Sequence, residues 1–294
     1  MTAPSAKIVA RGLEKRFSSP SGEFVALQGF DLDIRAGELL VIVGPSGCGK
    51  STFLNFVGGL DRPSAGELWL DGRLITGPGL DRGFVFQQYA LFPWRTALGN
   101  VEFGLEAKGV PKRERAAVAR EHLALVGLSA FADRYPYQLS GGMKQRVALA
   151  RSLAYEPDVL LMDEPFAALD AQTRETLQGQ LLRIWEETHK TVIFITHSID
   201  EAVVLGQRVA VMTAGPGRIK GTVTIDVPWS GQDEDVRSSQ AFAQVRHELW
   251  ELLRDEVVKS QPELPVLRAP VGGAATPEPV EAADGVREPV AVGS

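Results

Sequence analysis

The chain has 294 residues, a formal net charge of −6, and 44% hydrophobic against 23% charged residues. That is enough apolar material for a large α/β core, and the acidic balance argues against nucleic acid as a partner. A lone cysteine, Cys48, excludes an internal disulfide, and no run of about 18 apolar residues is present to cross a bilayer.

The first seven residues, Met1 to Lys7, lack the apolar stretch of a signal peptide, so a cytosolic protein is expected, meeting membranes only through partners. Residues 7–43 read as strand-rich, with alternating apolar positions from Phe24 to Ile34 and a continuous apolar run, Leu39 to Val43. A run of that kind fits a strand buried on both faces of a parallel sheet. Lys50 to Val57 reads as a helix closed by Gly58 and Gly59, either of which can take a left-handed conformation. Residues 65–86 read as short strands with turns at Asp71-Gly72 and Gly77-Pro78-Gly79. From Thr96 to Ala154 the pattern is helical, including Arg113 to Val126 with Gly127 as its stop. Strands return at Val159 to Met162 and Val192 to Thr196, joined by a crossover helix from Ala171 to Thr188. Strand, helix, strand at this spacing is a βαβ unit. Phe242, Val245, Leu249, Leu252 and Leu253 recur at helical spacing within Gln240 to Val258. Residues 261–294, rich in Pro, Gly, Ala and Glu, cannot bury enough surface to offset their ordering entropy and are expected to be disordered.

Three motifs carry chemistry. Gly44-Pro45-Ser46-Gly47-Cys48-Gly49-Lys50-Ser51 fits G-x-x-x-x-G-K-[ST] between a buried strand and a helix. Its glycines let backbone N–H groups turn inward around phosphate oxygens, at the positive end of the helix dipole. Lys50 is expected to reach the β- and γ-phosphates and Ser51 to ligate Mg²⁺, while Thr52 is counted with the nucleotide-binding residues. Cys48 reads simply as a small side chain that fits the loop. The apolar strand Val159 to Met162 ends in Asp163 and Glu164, at the edge where open α/β sheets bind ligands. Asp163 suits a Mg²⁺ ligand, and Glu164 a proton acceptor from a water attacking the γ-phosphate. A kinase, a GTPase-like switch or a recombinase would fit these two motifs equally well. Leu139-Ser140-Gly141-Gly142-Met143-Lys144-Gln145-Arg146 separates them: it lies before a helix read over Val147 to Leu153, with Ser140 as its cap and paired glycines exposing N–H donors. It is a second anion-binding site in the same chain.

With that octet the sequence resembles the nucleotide-binding subunits of ABC transporters over about residues 7–225, with the motifs in the family's order. The loop at 44–51 resembles Walker A, residues 159–164 Walker B, and the octet the LSGGQ signature, with Met143 in place of glutamine as in the subgroup it resembles. The resemblance implies further roles. Gln87 would be the Q-loop glutamine contacting Mg²⁺ and the attacking water, and Asp170, in Ala168-Leu169-Asp170, the D-loop aspartate. His197 would contact the γ-phosphate, and Phe17 would stack on adenine where Tyr or Trp is more usual.

The fold implied is that of a P-loop NTPase: an α/β RecA-like parallel-sheet core, an N-terminal antiparallel β part, and a helical insert carrying the signature. As domains, residues 1–230 would form the ATPase, with a helical subdomain at about 95–155. Residues 231–260 would form a C-terminal helical extension and 261–294 a tail. The resemblance also implies an ATPase that forms a homodimer with ATP held between one chain's cradle and the other's signature. Its partners would be two transmembrane permease subunits and, indirectly, an extracytoplasmic solute-binding protein, at the cytoplasmic face of the inner membrane. Gln88-Tyr89-Ala90-Leu91-Phe92-Pro93-Trp94 would be either ordinary core or a groove for a short permease helix. The stretches Gly77-Pro78-Gly79, Arg82 to Gln87, Leu91 to Arg95 and Gly215 to Ile219 resemble importers of taurine, other sulfonates and nitrate. A soluble ABC ATPase acting on DNA or ribosomes is the rival; no repeated cradle or sustained heptad pattern supports it.

Overall fold

Apolar alternation at the start of the chain closes a long hairpin. In the computed structural model, which describes residues 6–20, 22–227 and 236–260, β1 (Ala6–Ser19) pairs antiparallel with β2 (Gly22–Arg35). β3 (Leu39–Val43) then leads into α1 (Lys50–Val57). β4 (Ala65–Leu70) and β5 (Arg73–Leu74) make a tight hairpin, its turn formed by Asp71 and Gly72 at φ 49 and 70. That is the double positive-φ turn whose twist matches paired strands. β6 (Arg82–Val85) precedes three helices, α2 (Ala97–Ala107), α3 (Lys112–Leu125) and α4 (Gly141–Ala154). Next come β7 (Val159–Asp163), α5 (Ala171–Thr188), β8 (Thr191–Ile195), α6 (Ile199–Leu205), β9 (Arg208–Met212) and β10 (Ile219–Thr224). α7 (Gln240–Ser260) follows.

Among the described residues the strands form two sheets. One is antiparallel, ordered β2-β1-β4-β5. The other is ordered β10-β9-β3-β8-β7-β6 and is parallel except for β10 at its edge. The fully buried run of β3 follows from that placement. Leu40 and Ile42 join Phe30, Phe53 and Phe56 in the core beneath the antiparallel sheet, while Leu39, Val41 and Val43 join the core under the helices. β7 and β8 divide their residues the same way, because successive strand side chains point to opposite faces.

Three expectations need adjusting. Gly59, at φ 69, turns the chain after α1, whereas Gly58 at φ −66 is still right-handed. The signature helix begins at Gly141 rather than Val147, because the Ser140 cap holds the two glycines helical despite their low propensity. The aromatic stretch after Gln87 is not ordinary core, since Trp94 is 71% exposed. The expected disorder of 261–294 lies outside the described residues. No helix among the described residues is long and apolar enough to cross a membrane.

Candidate active site

The loop from Gly44 to Gly49 leaves the carboxyl end of β3 and feeds α1. Gly49 is its hinge, at φ 97, and a β-carbon there would lie 2.6 Å from Leu27 Cδ2 and 3.0 Å from the Ala26 carbonyl oxygen. Only glycine fits both constraints. Ser46 and Gly47 form the exposed tip, while Gly44 and Pro45 are buried and Thr52 is half-buried in the first turn of α1. Lys50 is buried, and its Nζ donates to the carbonyls of Gly44 at 2.8 Å and Pro45 at 3.0 Å. The ammonium is thus folded into the loop itself. Cys48 is buried too, and burial pushes its thiol above the ordinary range against the opposing charge of Lys50, which suits an inert space-filling residue.

β7 lies beyond β8 in the same sheet, so its acidic end comes up beside the loop. Ser51 Oγ donates to Asp163 Oδ1 at 3.0 Å. Burial raises the Asp163 carboxyl above its ordinary range; the charge of Glu164 adds to this, while Ser51 and Lys50 oppose it. Glu164 sits at φ 43, left-handed for a residue with a β-carbon, at a cost of about 1–2 kcal/mol. Its N–H donates to the Ile195 carbonyl at 3.0 Å and its carbonyl accepts from Ala167 N–H at 3.2 Å. This kink takes Glu164 out of the strand and brings Oε2 to 3.3 Å from Nδ1 of His197, just past β8. Lys50, Ser51, Asp163, Glu164 and His197 therefore form one constellation at the carboxyl ends of three neighbouring strands.

The other expected residues lie around it. Gln87 is exposed just beyond β6, the strand next to β7. Directly after it, Tyr89 and Ala90 are both left-handed, at φ 56 and 45, and buried Arg151 of α4 clamps their carbonyls at 2.9 and 2.5 Å. No sequence pattern singled out Arg151; its signal is a guanidinium in an otherwise apolar helix segment. Phe17 faces Phe24 across the hairpin and is 42% exposed, with Lys15 Nζ 5.0 Å from its ring centre, so it is not core. Ser140 Oγ accepts from Met143 N–H at 3.3 Å. A β-carbon on Gly142 would lie 2.6 Å from the Thr173 methyl, and one on Gly141 3.2 Å from the Tyr89 hydroxyl. Asp170 caps α5 by accepting from Thr173 N–H at 2.9 Å, which holds its carboxyl below the ordinary range. Among the described residues, no hydrogen bond or ion pair joins Ser140, Gly141 or Gly142 to the Lys50–Asp163–Glu164 group.

A phosphate-binding loop after a buried parallel strand, with acids at a nearby strand end, defines a P-loop nucleoside triphosphatase. Residues 27–167 match the family described as ABC transporter. An uncharacterized ABC transporter ATP-binding protein of Methanocaldococcus jannaschii is 53% identical over 86% of this chain and 94% of its own. The taurine import ATP-binding protein TauB of Roseobacter denitrificans is 49% identical over 83% of this chain and 92% of its own. The nitrate import ATP-binding protein NrtD of a Synechocystis species is 46% identical over 83% and 91%. A solved dimeric ATP-binding cassette bound to ADP and Pi superposes with a TM-score of 0.68 at 37% identity, covering 74% of this chain and 98% of that one. The chain belongs to the ABC transporter family, as one of its ATP-binding, ATP-hydrolysing subunits.

Proposed function

We propose that this subunit powers import of a small anion such as taurine, another sulfonate or nitrate. The observation that carries the hydrolytic part is the constellation Lys50–Ser51–Asp163–Glu164–His197 around one glycine loop. In this reading, N–H groups of 44–52 and the Lys50 ammonium hold the β- and γ-phosphates, and Phe17 offers a ring face to the adenine. Ser51 and Asp163 present hard oxygen donors 3.0 Å apart, and burial leaves the carboxylate short of compensation; both features fit Mg²⁺. Bound there, with Gln87 nearby, the ion would neutralise phosphate charge. Glu164 accepts the proton of the attacking water, and His197, held against Glu164, donates toward the γ-phosphate.

The signature N–H groups are not joined to their own cradle, which supports a homodimer in which each chain's signature closes on the other's ATP. The solved cassette bound to ADP and Pi is itself a dimer, which favours a dimer here as well. Hydrolysis then removes the γ-phosphate contacts and releases the closed state. The membrane partner has a place as well. A cavity of about 400 Å³ is lined by Phe84, Phe86, Phe92, Phe103 and Tyr155, with Arg151 among them. It lies beside the segment after Gln87 and suits a short apolar helix of one permease subunit, so that the two chains of a dimer would engage two. In this reading the chain works peripherally at the cytoplasmic face of the inner membrane, served indirectly by a solute-binding protein. In domain terms, residues 1–230 are the ATPase with its helical part at about 95–155, and 231–260 the extension.

The taurine and nitrate importer relatives support the anion class. Reconstitution with the permease tests the whole reading. ATP hydrolysis stimulated by a binding protein loaded with taurine or nitrate is the expected outcome. Stable association with ribosomes or DNA and none with a membrane protein would overturn it.

A further inference from the structure

The ring of His197 is largely exposed, and among the described residues Glu164 is the one side chain it bonds, so the backbone on either side must orient it. That backbone is held by hydrogen bonds on both flanks. Thr196 N–H donates to the Ile42 carbonyl at 3.2 Å, and Ser198 N–H donates to Thr196 Oγ1 at 3.0 Å. Glu201 N–H donates to Ser198 Oγ at 3.2 Å, and the Thr196 hydroxyl donates to Glu201 Oε2 at 2.5 Å.

The departure from an ordinary helix start is informative. Ser198 and Glu201 stand as cap and third residue of α6, the spacing of a capping box, in which the glutamate itself accepts from the cap N–H. Here the Thr196 hydroxyl stands between them, accepting from Ser198 N–H and donating to the carboxylate. Capping alone does not require this detour. Its effect is to draw the residue before His197 into the cap, so that the histidine is enclosed between two fixed points.

The other Glu201 oxygen accepts from Gln178 Nε2 of α5 at 3.1 Å, with Arg174 Nε 3.9 Å away. Thr196, Gln178 and Glu201 are all buried. Gln178 Oε1 in turn accepts from Arg237 Nη2 at 3.3 Å, and Arg237 also pairs with Glu175 of α5. Arg246 of α7 donates to Asp200 of α6 at 2.7 Å. The buried part of this network, Thr196, Glu201 and Gln178, has every side-chain oxygen engaged, which holds those three side chains in place, while Arg237 and Arg246 tie to it from the surface.

We infer that Glu201, acting through Thr196, is a positioning residue for His197, and that the C-terminal segment carrying Arg237 and Arg246 belongs to the same support. This rests on the hydrolytic reading of His197 given above. The segment therefore stabilises the γ-phosphate side of the site from behind, through α5 and α6.

The test is steady-state ATP hydrolysis by the full-length protein. Thr196→Val keeps the side-chain shape and removes the hydroxyl. It should lower kcat about tenfold with the KM for ATP within about twofold, because a misplaced group costs rate more than binding. Thr196→Ser should restore kcat to within about twofold of wild type, and Arg237→Ala should lower it about threefold. A Thr196→Val enzyme with wild-type kcat, or a Ser variant as impaired as the Val variant, would overturn the inference. If Thr196→Val fails to fold, Gln178→Leu reads the same network from its far side, and an unchanged kcat there overturns it equally. Glu164→Gln is run in parallel. Equal turnover by wild type and Glu164→Gln would sink the hydrolytic reading itself. An inactive Glu164→Gln beside an unaltered Thr196→Val would sink the positioning role alone.

Discussion

Glu164 occupies a conformation that costs energy, and the cost has a use: without the kink its carboxylate would continue the strand alternation instead of meeting His197. Glu164→Gln preserves this geometry and removes the carboxylate proposed to accept the proton. Phosphate release should fall at least about a hundredfold while ATP still binds, and size-exclusion chromatography with ATP should show a longer-lived dimer. Asp163 illustrates the opposite balance. Its carboxyl is raised by burial, so the folded chain favours the protonated form; the associated stability is present at low pH and is lost as pH rises through the raised value. In the proposed site Mg²⁺ would need the ionised form, so Mg²⁺-dependent ATP binding should weaken on acidification at a higher pH than for an ordinary aspartate. Asp163→Asn should unfold at slightly higher urea than wild type near neutral pH and be inactive, since it removes a poorly compensated charge. Gly49→Ala faces both a positive φ and the Leu27 side chain. It should lose about 1–3 kcal/mol in urea unfolding, with weaker nucleotide binding.

At the scale of elements, α7 is held by a buried carboxylate as well as by its apolar stripe of Phe242, Leu249 and Leu253. Burial works against the charge of Glu256. Lys220 at 2.8 Å, Lys259 at 2.9 Å and the Ala214 N–H at 2.9 Å outweigh it, lowering the carboxyl from its ordinary 4.5 to about 2. Because the folded value is depressed, this stability is present above the ordinary value and is lost as pH falls from about 4.5 towards about 2. Glu256→Gln should cost on the order of 3 kcal/mol near neutral pH, less what solvent screening of the lysines removes. It should also flatten the acid limb of the stability curve, read by circular dichroism at several pH values. The apolar spacing of α7 was legible in the sequence, whereas its anchor was not: Lys220 and Glu256 lie 36 positions apart. The βαβ unit β7–α5–β8 was legible for a related reason, since burial on both faces writes itself as an unbroken apolar run. Val209 to Met212, within β9, is a run of the same kind, whereas α6, at seven residues, is too short to show a helical period.

For the whole molecule, the feature that looks outward is the aromatic cavity with its rim: Trp94 is outside the lining, but its ring centre lies 5.6 Å from that of Phe92, which lines it. Trp94 is 71% exposed, so Trp94→Ala should leave unfolding by urea unchanged within about 0.5 kcal/mol. On the proposed reading it should weaken co-purification with a permease partner by tenfold or more, about the loss of one aromatic anchor. The signature offers the complementary case. Gly142 packs against Thr173, beside the Asp170 cap of α5, so a β-carbon there would disturb the start of α5 as well as the signature helix. Gly142→Ala should abolish ATP-dependent dimers while leaving ATP binding to the single chain largely intact, a separation that equilibrium binding and light scattering can resolve.

The sequence by itself determined the phosphate loop, the acidic strand end, the capped signature and their order, because each depends on local chemistry: glycine's freedom, a cap at fixed spacing, an apolar run before a charge. Only the tertiary structure decided that Glu164 turns towards His197, that Arg151 clamps the turn after Gln87, and that Glu201 reaches Thr196 while Gln178 reaches Glu201 and Arg237 reaches Gln178. Those contacts join residues from separate strands and helices. Which side chains meet there depends on strand order and on how the helices pack across the sheet, and neither is encoded within any one segment.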